Sequence, residues 1–254
     1  MSQEIVAKPL VEVKAYLDGL LKVEGLEESG NGLVVGGRPA ASKIGLAVNC
    51  SLQTIEEAAR RGCDLLLTHH AAWPHIDQHL SGRKYDRLRE LGINYYAAHE
   101  CLDLAREFGT ADALARAVRV TVQGTFDLDG EAICVHGLST GHWLEFVVRV
   151  ANQLGTEPRN WKNIDSFGHV AIIPGGGGQT NWMAQAQALG CDTFLTGEAS
   201  MFGLLFAREV GINLVLAGHY ATEVPGVMAL GTRIARDLNL DVTFIPEEVL
   251  EAAA

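Results

Sequence analysis

Cysteine is scarce and scattered: there are five, Cys50, Cys63, Cys101, Cys134 and Cys191, with no C-x-x-C pair among them. That argues against a disulfide framework and reads as small buried hydrophobes in a reducing, cytoplasmic compartment. Long apolar runs are missing too. No stretch approaches the about 18 to 20 residues that span a bilayer. The opening "MSQEIVAKPLVEVKAYLDGLL" carries acids and lacks a cleavage-site pattern, unlike a secretory signal. Basic residues are outnumbered, 20 Lys and Arg against 31 Asp and Glu, for a net charge of −11. They form no run and no stripe interleaved with aromatics, so nucleic acid is disfavoured as a partner and a membrane surface is excluded. An anionic small substrate would have to be held by something other than surface charge. The remainder is ordinary globular composition, and 254 residues suffice for one large domain or two small ones.

Apolar positions at helical spacing run through 9–25. "NGLVVGG" and "KIGLAVNCS" follow as strands, and Ser51 is placed to cap a helix over "LQTIEEAARRG". Strand "CDLLLTHH", helix "KYDRLRELG" and strand "INYYAAH" continue an alternation that predicts an α/β fold with mainly parallel sheets. The plan then recurs. "GCDLLLTHH" (62–70) is echoed by "GCDTFLTGE" (190–198), and "LGINYYAAH" (91–99) by "VGINLVLAGH" (210–219), in the same order with a helix between. Two matches in register predict pseudo-repeated lobes. Residues 1–120 make the first lobe, with the C-terminal segment a candidate to complete it. Residues 121–168 link or decorate, and 169–254 make the second lobe.

Ligands of open α/β sheets gather beyond the carboxyl ends of the strands. His69, His70, His99 and His219 all stand at such ends. Where a strand stops, its strict alternation stops, so the adjacent His69 and His70 can turn toward one cleft. Asp103 follows His99 by four residues and Glu223 follows His219 by four, a spacing that shares a helix face. Imidazoles with carboxylates suit Zn, Mn, Fe, Co or Ni. Adjacent histidines with a carboxylate able to bridge suggest two divalent metal ions, about 3.5–4 Å apart around a bridging hydroxide. Two such ions outweigh two carboxylates, which gives an acidic protein a local hold on an anion. Cys101 is two residues from both His99 and Asp103 and is expected to face away.

These stretches resemble the NIF-three-like family (NGG-one-interacting factor three), also called GTP cyclohydrolase one type two homologues. The likeness runs through "NGLVVGG", "KIGLAVNCS", "GCDLLLTHH", "AAHECLD", "VAIIPGGGG", "GCDTFLTGE" and, most specifically, "GINLVLAGHYATE". The resemblance implies a two-lobed α/β fold, a dinuclear metal centre between the lobes and a ring-shaped homohexamer. It implies His69, His70, Asp103, His219 and Glu223 as ligands, with Glu223 bridging, and His99 near the metals as a supporting residue or proton shuttle. The chain departs at Asn49, where the family pattern leads one to expect Asp; that bears on sheet packing or the cleft edge and removes no named ligand.

The four glycines Gly175–Gly178 lack the Walker Lys-Ser/Thr and the G-x-G-x-x-G acid, so they read as a turn bordering the cleft and touching substrate. Glu198 occupies the repeat position of His70 and reads either as a catalytic base or water-orienting group, or as a helix-start acid. His75 and His79 lack a carboxylate partner, and His136, His142 and His169 show no constellation. Trp73 reads as core before cleft wall. The sequence thus predicts a dinuclear metal-dependent hydrolase acting on an anionic small molecule. GTP or another nucleotide is suggested only by the resemblance, and His99 or Glu198 would move the proton. The alternative is a metal-dependent binding or adaptor ring without turnover.

Overall fold

The computed structural model describes residues 6–26, 30–128 and 131–247, and these divide into two compact units, one of residues up to 105 with 227–247, the other of 106–226. The first unit opens with β1 (Lys8–Pro9), α1 (Leu10–Leu21), β2 (Asn31–Val35), β3 (Ala40–Ala41) and β4 (Lys43–Asn49). It continues with α2 (Leu52–Arg60), β5 (Leu65–His70), α3 (Pro74–Asp77), α4 (Leu80–Leu91), β6 (Asn94–Ala98) and α5 (Glu100–Asp103). Ser51 caps α2 as its position predicts, its Oγ accepting the Thr54 N–H at 3.0 Å. The second unit holds α6 (Thr110–Ala117), β7 (Thr121–Leu128), β8 (Glu131–Leu138), α7 (Trp143–Leu154), β9 (Arg159–Trp161) and β10 (His169–Ile173). It ends with α8 (Thr180–Ala188), β11 (Thr193–Thr196), α9 (Met201–Glu209), β12 (Asn213–Leu216) and the start of α10 (His219–Leu238). The later turns of α10 and β13 (Asp241–Phe244) return to the first unit.

In the first unit a five-stranded sheet has the order β13-β4-β5-β6-β2. All neighbours are parallel except β2, which pairs antiparallel with β6. Ile55 and Ala58 of α2 and Leu88 of α4 bury themselves with Ala47, Leu66, Tyr95 and Ala97 on one face. On the other face α1 meets Tyr96, whose hydroxyl donates to Asp18 at 3.0 Å. α10 also lies on that face, so close that a Cβ at Gly231 would fall 2.1 Å from Leu46 Cδ1.

The second unit's sheet has the order β7-β8-β10-β11-β12-β9. Only β10-β11 and β11-β12 are parallel. β7, β8 and β9 add antiparallel edges, so this sheet is mixed rather than mainly parallel. Residues alternate cleanly across it. Val170 and Ile172 pack with Phe146, Val150 and Leu114, while Ala171 and Ile173 pack with Met183, Ala186 and Ala207. Segment 121–168 is therefore not a linker: it supplies β7, β8, α7 and β9, and hence half the strands of this sheet. The first unit stops at residue 105 rather than 120, and it recruits 227–247 from what reads in sequence as the second lobe.

The repeat is visible in polar detail. Asp64, before β5, accepts from Ser42 N–H and Lys43 N–H, and Asp192, before β11, accepts from Gly168 N–H and His169 N–H. Asn94 accepts from Gly37 N–H and donates to Arg38 O, and Asn213 accepts from Ile164 N–H and donates to Ser166 O. The echoed Asp and Asn of "GCD" and "GIN" thus do the same work twice: they satisfy backbone groups of the loops entering each sheet.

Candidate metal centre

β4, β5 and β6 run side by side, and their carboxyl ends carry Asn49, His69–His70 and His99. Register puts Asn49 opposite His70 and Thr68 opposite Ala97, so each histidine has a neighbouring strand end beside it. His69 is buried, and its Nδ1 lies 2.9 Å from Ala98 O. A carbonyl only accepts, so Nδ1 carries the proton and Nε2 is left with the lone pair. His70 Nδ1 lies 2.7 Å from Asn49 Oδ1. Asn49 Nδ2 donates to Glu247 Oε2 at 2.9 Å, which fixes the amide with its oxygen toward His70. His70 Nδ1 therefore donates as well, and its Nε2 is also an acceptor.

The two rings lie 4.8 Å apart between centroids, so the adjacent histidines do share one side of the strand end. His99 joins them at 4.8 Å from His69 and 5.4 Å from His70, with Trp73 edge-on to it at 4.9 Å. Trp73 is both core and wall. One ligand nitrogen from each of His69, His70 and His99 lies within 4.8 Å of the others. Asp103 Oδ1 is 3.8 Å from His69 Nε2. Two atoms each bound at about 2.0–2.2 Å to one cation cannot be more than about 4.4 Å apart, so this pair fits a shared ion. Cys101 is fully buried.

In the second unit His219, Glu223 and Glu198 come together. His219 Nδ1 is 2.9 Å from Glu198 Oε1, and His219 Nε2 is 3.1 Å from Glu223 Oε1. Burial alone would lower the His219 pKa, but Glu223 and then Glu198 outweigh it and raise it to about 9. A cation taking Nε2 must displace that proton. Glu198 lies before Ser200, the cap of α9, so it is not in the helix's first turn; its carboxylate orients His219.

The glycine loop packs directly on this group. Gly175 has φ +62°, and a Cβ there would stand 2.3 Å from Glu223 Oε1 and 3.0 Å from His219 Nε2. Its N–H donates to Thr222 Oγ1 at 2.9 Å, and its carbonyl accepts from the N–H of Gly197 and Glu198. At Gly197 a Cβ would lie 2.5 Å from Gly175 O, so only glycine permits the approach.

Two groups of residues escaped the sequence reading. Asn49 and Glu247 hold His70, and the only signal was the departure at Asn49. His136 Nδ1 and His169 Nε2 lie 2.9 Å apart with Cys191 beside them, so these histidines do have a constellation. Strand neighbours distant in sequence leave no local spacing to find. His75 and His79 are not on one helix: α3 ends at Asp77, and Gln78 turns to φ +55°.

The family model for Duf34/NIF3 (NGG1p interacting factor 3) matches residues 10–249. The chain belongs to this family. A NIF3-family relative from Halobacterium salinarum is 35% identical over 244 residues, 91% of this chain and 94% of its own, and bears the name GTP cyclohydrolase 1 type 2 homolog. One of the same name from Escherichia coli K12 is 34% identical over 226 residues, 85% of this chain and 88% of its own. The solved structure of protein ybgI, described as of unknown function, superposes with TM-score 0.85 at 28% identity, covering 94% of this chain and 99% of that one. The two-lobed α/β architecture of the NIF3 family is therefore the fold of this chain.

Proposed function

We propose that this NIF3-family chain is a metal-dependent hydrolase of a small anionic substrate. His69, His70, Asp103, His219 and Glu223 would hold two divalent cations, with Glu223 shared between them. The observation that carries this reading is a repeated pattern. His69, His70 and His219 each engage Nδ1 with an acceptor, respectively Ala98 O, Asn49 Oδ1 and Glu198 Oε1, and two of them set Nε2 toward a carboxylate, His69 toward Asp103 and His219 toward Glu223. A histidine that binds a metal through one nitrogen needs its other N–H held in this way. Three instances in one chain favour a cation site over three unrelated polar residues. The donor set of imidazole and carboxylate fits Zn, Mn, Fe, Co or Ni.

When bound, such cations supply Lewis acidity and positive charge against a developing oxyanion. The residues around them have separable tasks. Glu198 keeps the His219 ring in place. His99, in ring contact with His69, His70 and Trp73, is positioned to carry a proton at an imidazole nitrogen. The local positive charge would let a chain of net charge −11 hold an anion. The relatives' name makes GTP the first substrate to try. A homohexameric assembly and a cytoplasmic location belong to the same reading. No helix among the described residues is long and apolar enough to cross a membrane.

The test is turnover of GTP and a panel of nucleotides by chain reconstituted with each metal in turn. Glu223→Ala should abolish it; unchanged turnover in that variant would overturn the mechanism. The family's description as an interacting factor favours one other reading, an adaptor without turnover. Metal-dependent capture or assembly with no hydrolysis across the panel would support that instead.

A further inference from the structure

We infer that His136, His169 and Cys191 form a separate transition-metal site, of the kind that takes Zn²⁺, at the far end of the six-stranded sheet from His219 and Glu198. The three come from different strand positions on one face. His136 lies on β8 and His169 on the neighbouring antiparallel β10, two register places apart, and Cys191 stands two residues before β11. One ligand atom from each lies within 4.8 Å of the others. His169 begins β10 and the Gly175 loop follows its end, so about 13 Å of strand separates this group from the loop that packs on Glu223.

The surroundings are built to present these atoms. His169 Nδ1 lies 3.1 Å from the Gly190 carbonyl, which can only accept, so Nε2 carries the lone pair. That Nε2 faces His136 Nδ1 at 2.9 Å, and a single proton occupies the line between the two nitrogens. Across the ladder from His136 is Gly124, at a register shift in β7, where a Cβ would stand 2.6 Å from His136 Nε2. The strand thus gives up a side chain to seat this ring. Cys191 is buried, and His136 and His169 are half-buried, which leaves the group reachable from solvent. Burial, and then the facing His169, lower the His136 pKa.

Two imidazoles and a thiolate are a zinc ligand set, with a fourth place left for solvent. Nitrogens each about 2.05 Å from a tetrahedral ion sit about 3.3 Å apart, so the 2.9 Å pair needs to open by only a few tenths of an ångström. On binding, the His136 proton moves from Nδ1 to Nε2 and the Cys191 thiol releases its proton to solvent. The ion's charge is therefore offset by one thiolate, and nothing is oxidised or reduced.

Cobalt(II) separates this site from the proposed hydrolytic one, whose ligands include no sulfur. Full-length chain stripped with chelator and titrated with Co²⁺ should develop a near-ultraviolet thiolate-to-cobalt charge-transfer band whose full intensity corresponds to one thiolate-bound ion per chain. The band should vanish in Cys191→Ser and persist in His219→Ala. His169→Gln should weaken Co²⁺ binding at this band by at least about tenfold, with circular dichroism unchanged. Absence of the band from the unaltered chain, or its survival in Cys191→Ser, would overturn the inference. Absence of nucleotide turnover from the unaltered, metal-loaded chain, with the band intact, would overturn the hydrolase reading alone.

Discussion

Asn49 orients a histidine through a hydrogen bond that no local motif advertises. Read in sequence, it is a departure from family pattern with no ligand at stake, yet its Oδ1 is the acceptor that holds the proton on His70 Nδ1. The ligand-type residues themselves were legible, because strand ends and i, i+4 spacing are local properties. Their supporting acceptors were not, because Ala98 O and Asn49 Oδ1 reach the histidines across strands. Glu198 was visible as the repeat partner of His70, but its contact with His219 was not. Asn49→Ala and Glu198→Ala should each weaken metal binding by about 10- to 100-fold, as the loss of a ligand's supporting partner does. Glu198→Gln retains an acceptor oxygen and should cost less. Competition against a chromophoric chelator measures all three, and unchanged affinity in both alanine variants would remove the orienting role.

The elements were readable wherever the period was clear, as with Ser51 and α2, the "THH" strand, and the echoed "GCD" and "GIN". The antiparallel direction of the edges β7, β8 and β9 was not, since strand direction leaves no mark on a short apolar run. The first of the echoed aspartates, Asp64, carries a pH signature. Burial, the largest single influence on Asp64, would raise its pKa, but hydrogen bonds from Ser42, Arg38 and Lys43 together outweigh it and the net shift is downward. A carboxylate with a depressed folded pKa stabilises the fold above its unfolded value of about 3.9, and that contribution is lost as pH falls through the folded pKa. Asp64→Asn should therefore destabilise by about 1.5–3 kcal/mol at pH 7, with the gap to the unaltered chain closing in acid. Urea unfolding across that pH range tests it. The glycine loop makes a different prediction. In Gly175→Ala the added carbon meets Glu223 Oε1 at 2.3 Å on a backbone with φ +62°, so metal affinity should fall at least about tenfold while the fold survives. Calorimetric titration with Zn²⁺ reads that loss.

At the scale of the molecule, the first unit is completed by a segment more than a hundred residues downstream. β13 pairs parallel with β4, Ile245 N–H donates to Leu46 O at 2.7 Å, and the path ends at Glu247. The sequence left the C-terminal segment as a candidate to complete this lobe, but nothing in "FIPEEV" shows what Glu247 does. Its buried Oε1 accepts the N–H groups of Val48 and Asn49 at 3.0 and 2.9 Å, and its Oε2 accepts Asn49 Nδ2 at 2.9 Å. Glu247 therefore decides which way the Asn49 amide faces, and through it which nitrogen of His70 carries the proton. Glu247→Ala leaves two backbone donors unpaired and should cost about 2–3 kcal/mol. Glu247→Gln separates the two roles. Its oxygen can still serve both backbone N–H groups, but its amide nitrogen then meets Asn49 Nδ2 donor to donor. Relief comes by flipping Asn49, which turns Nδ2 toward His70 Nδ1 and drives the His70 proton onto Nε2, the nitrogen assigned to the metal. Glu247→Gln should accordingly keep its unfolding free energy within about 1 kcal/mol and lose at least about tenfold in metal affinity. A variant that keeps its metal affinity would show that His70 is oriented by something other than the path from Glu247 through Asn49.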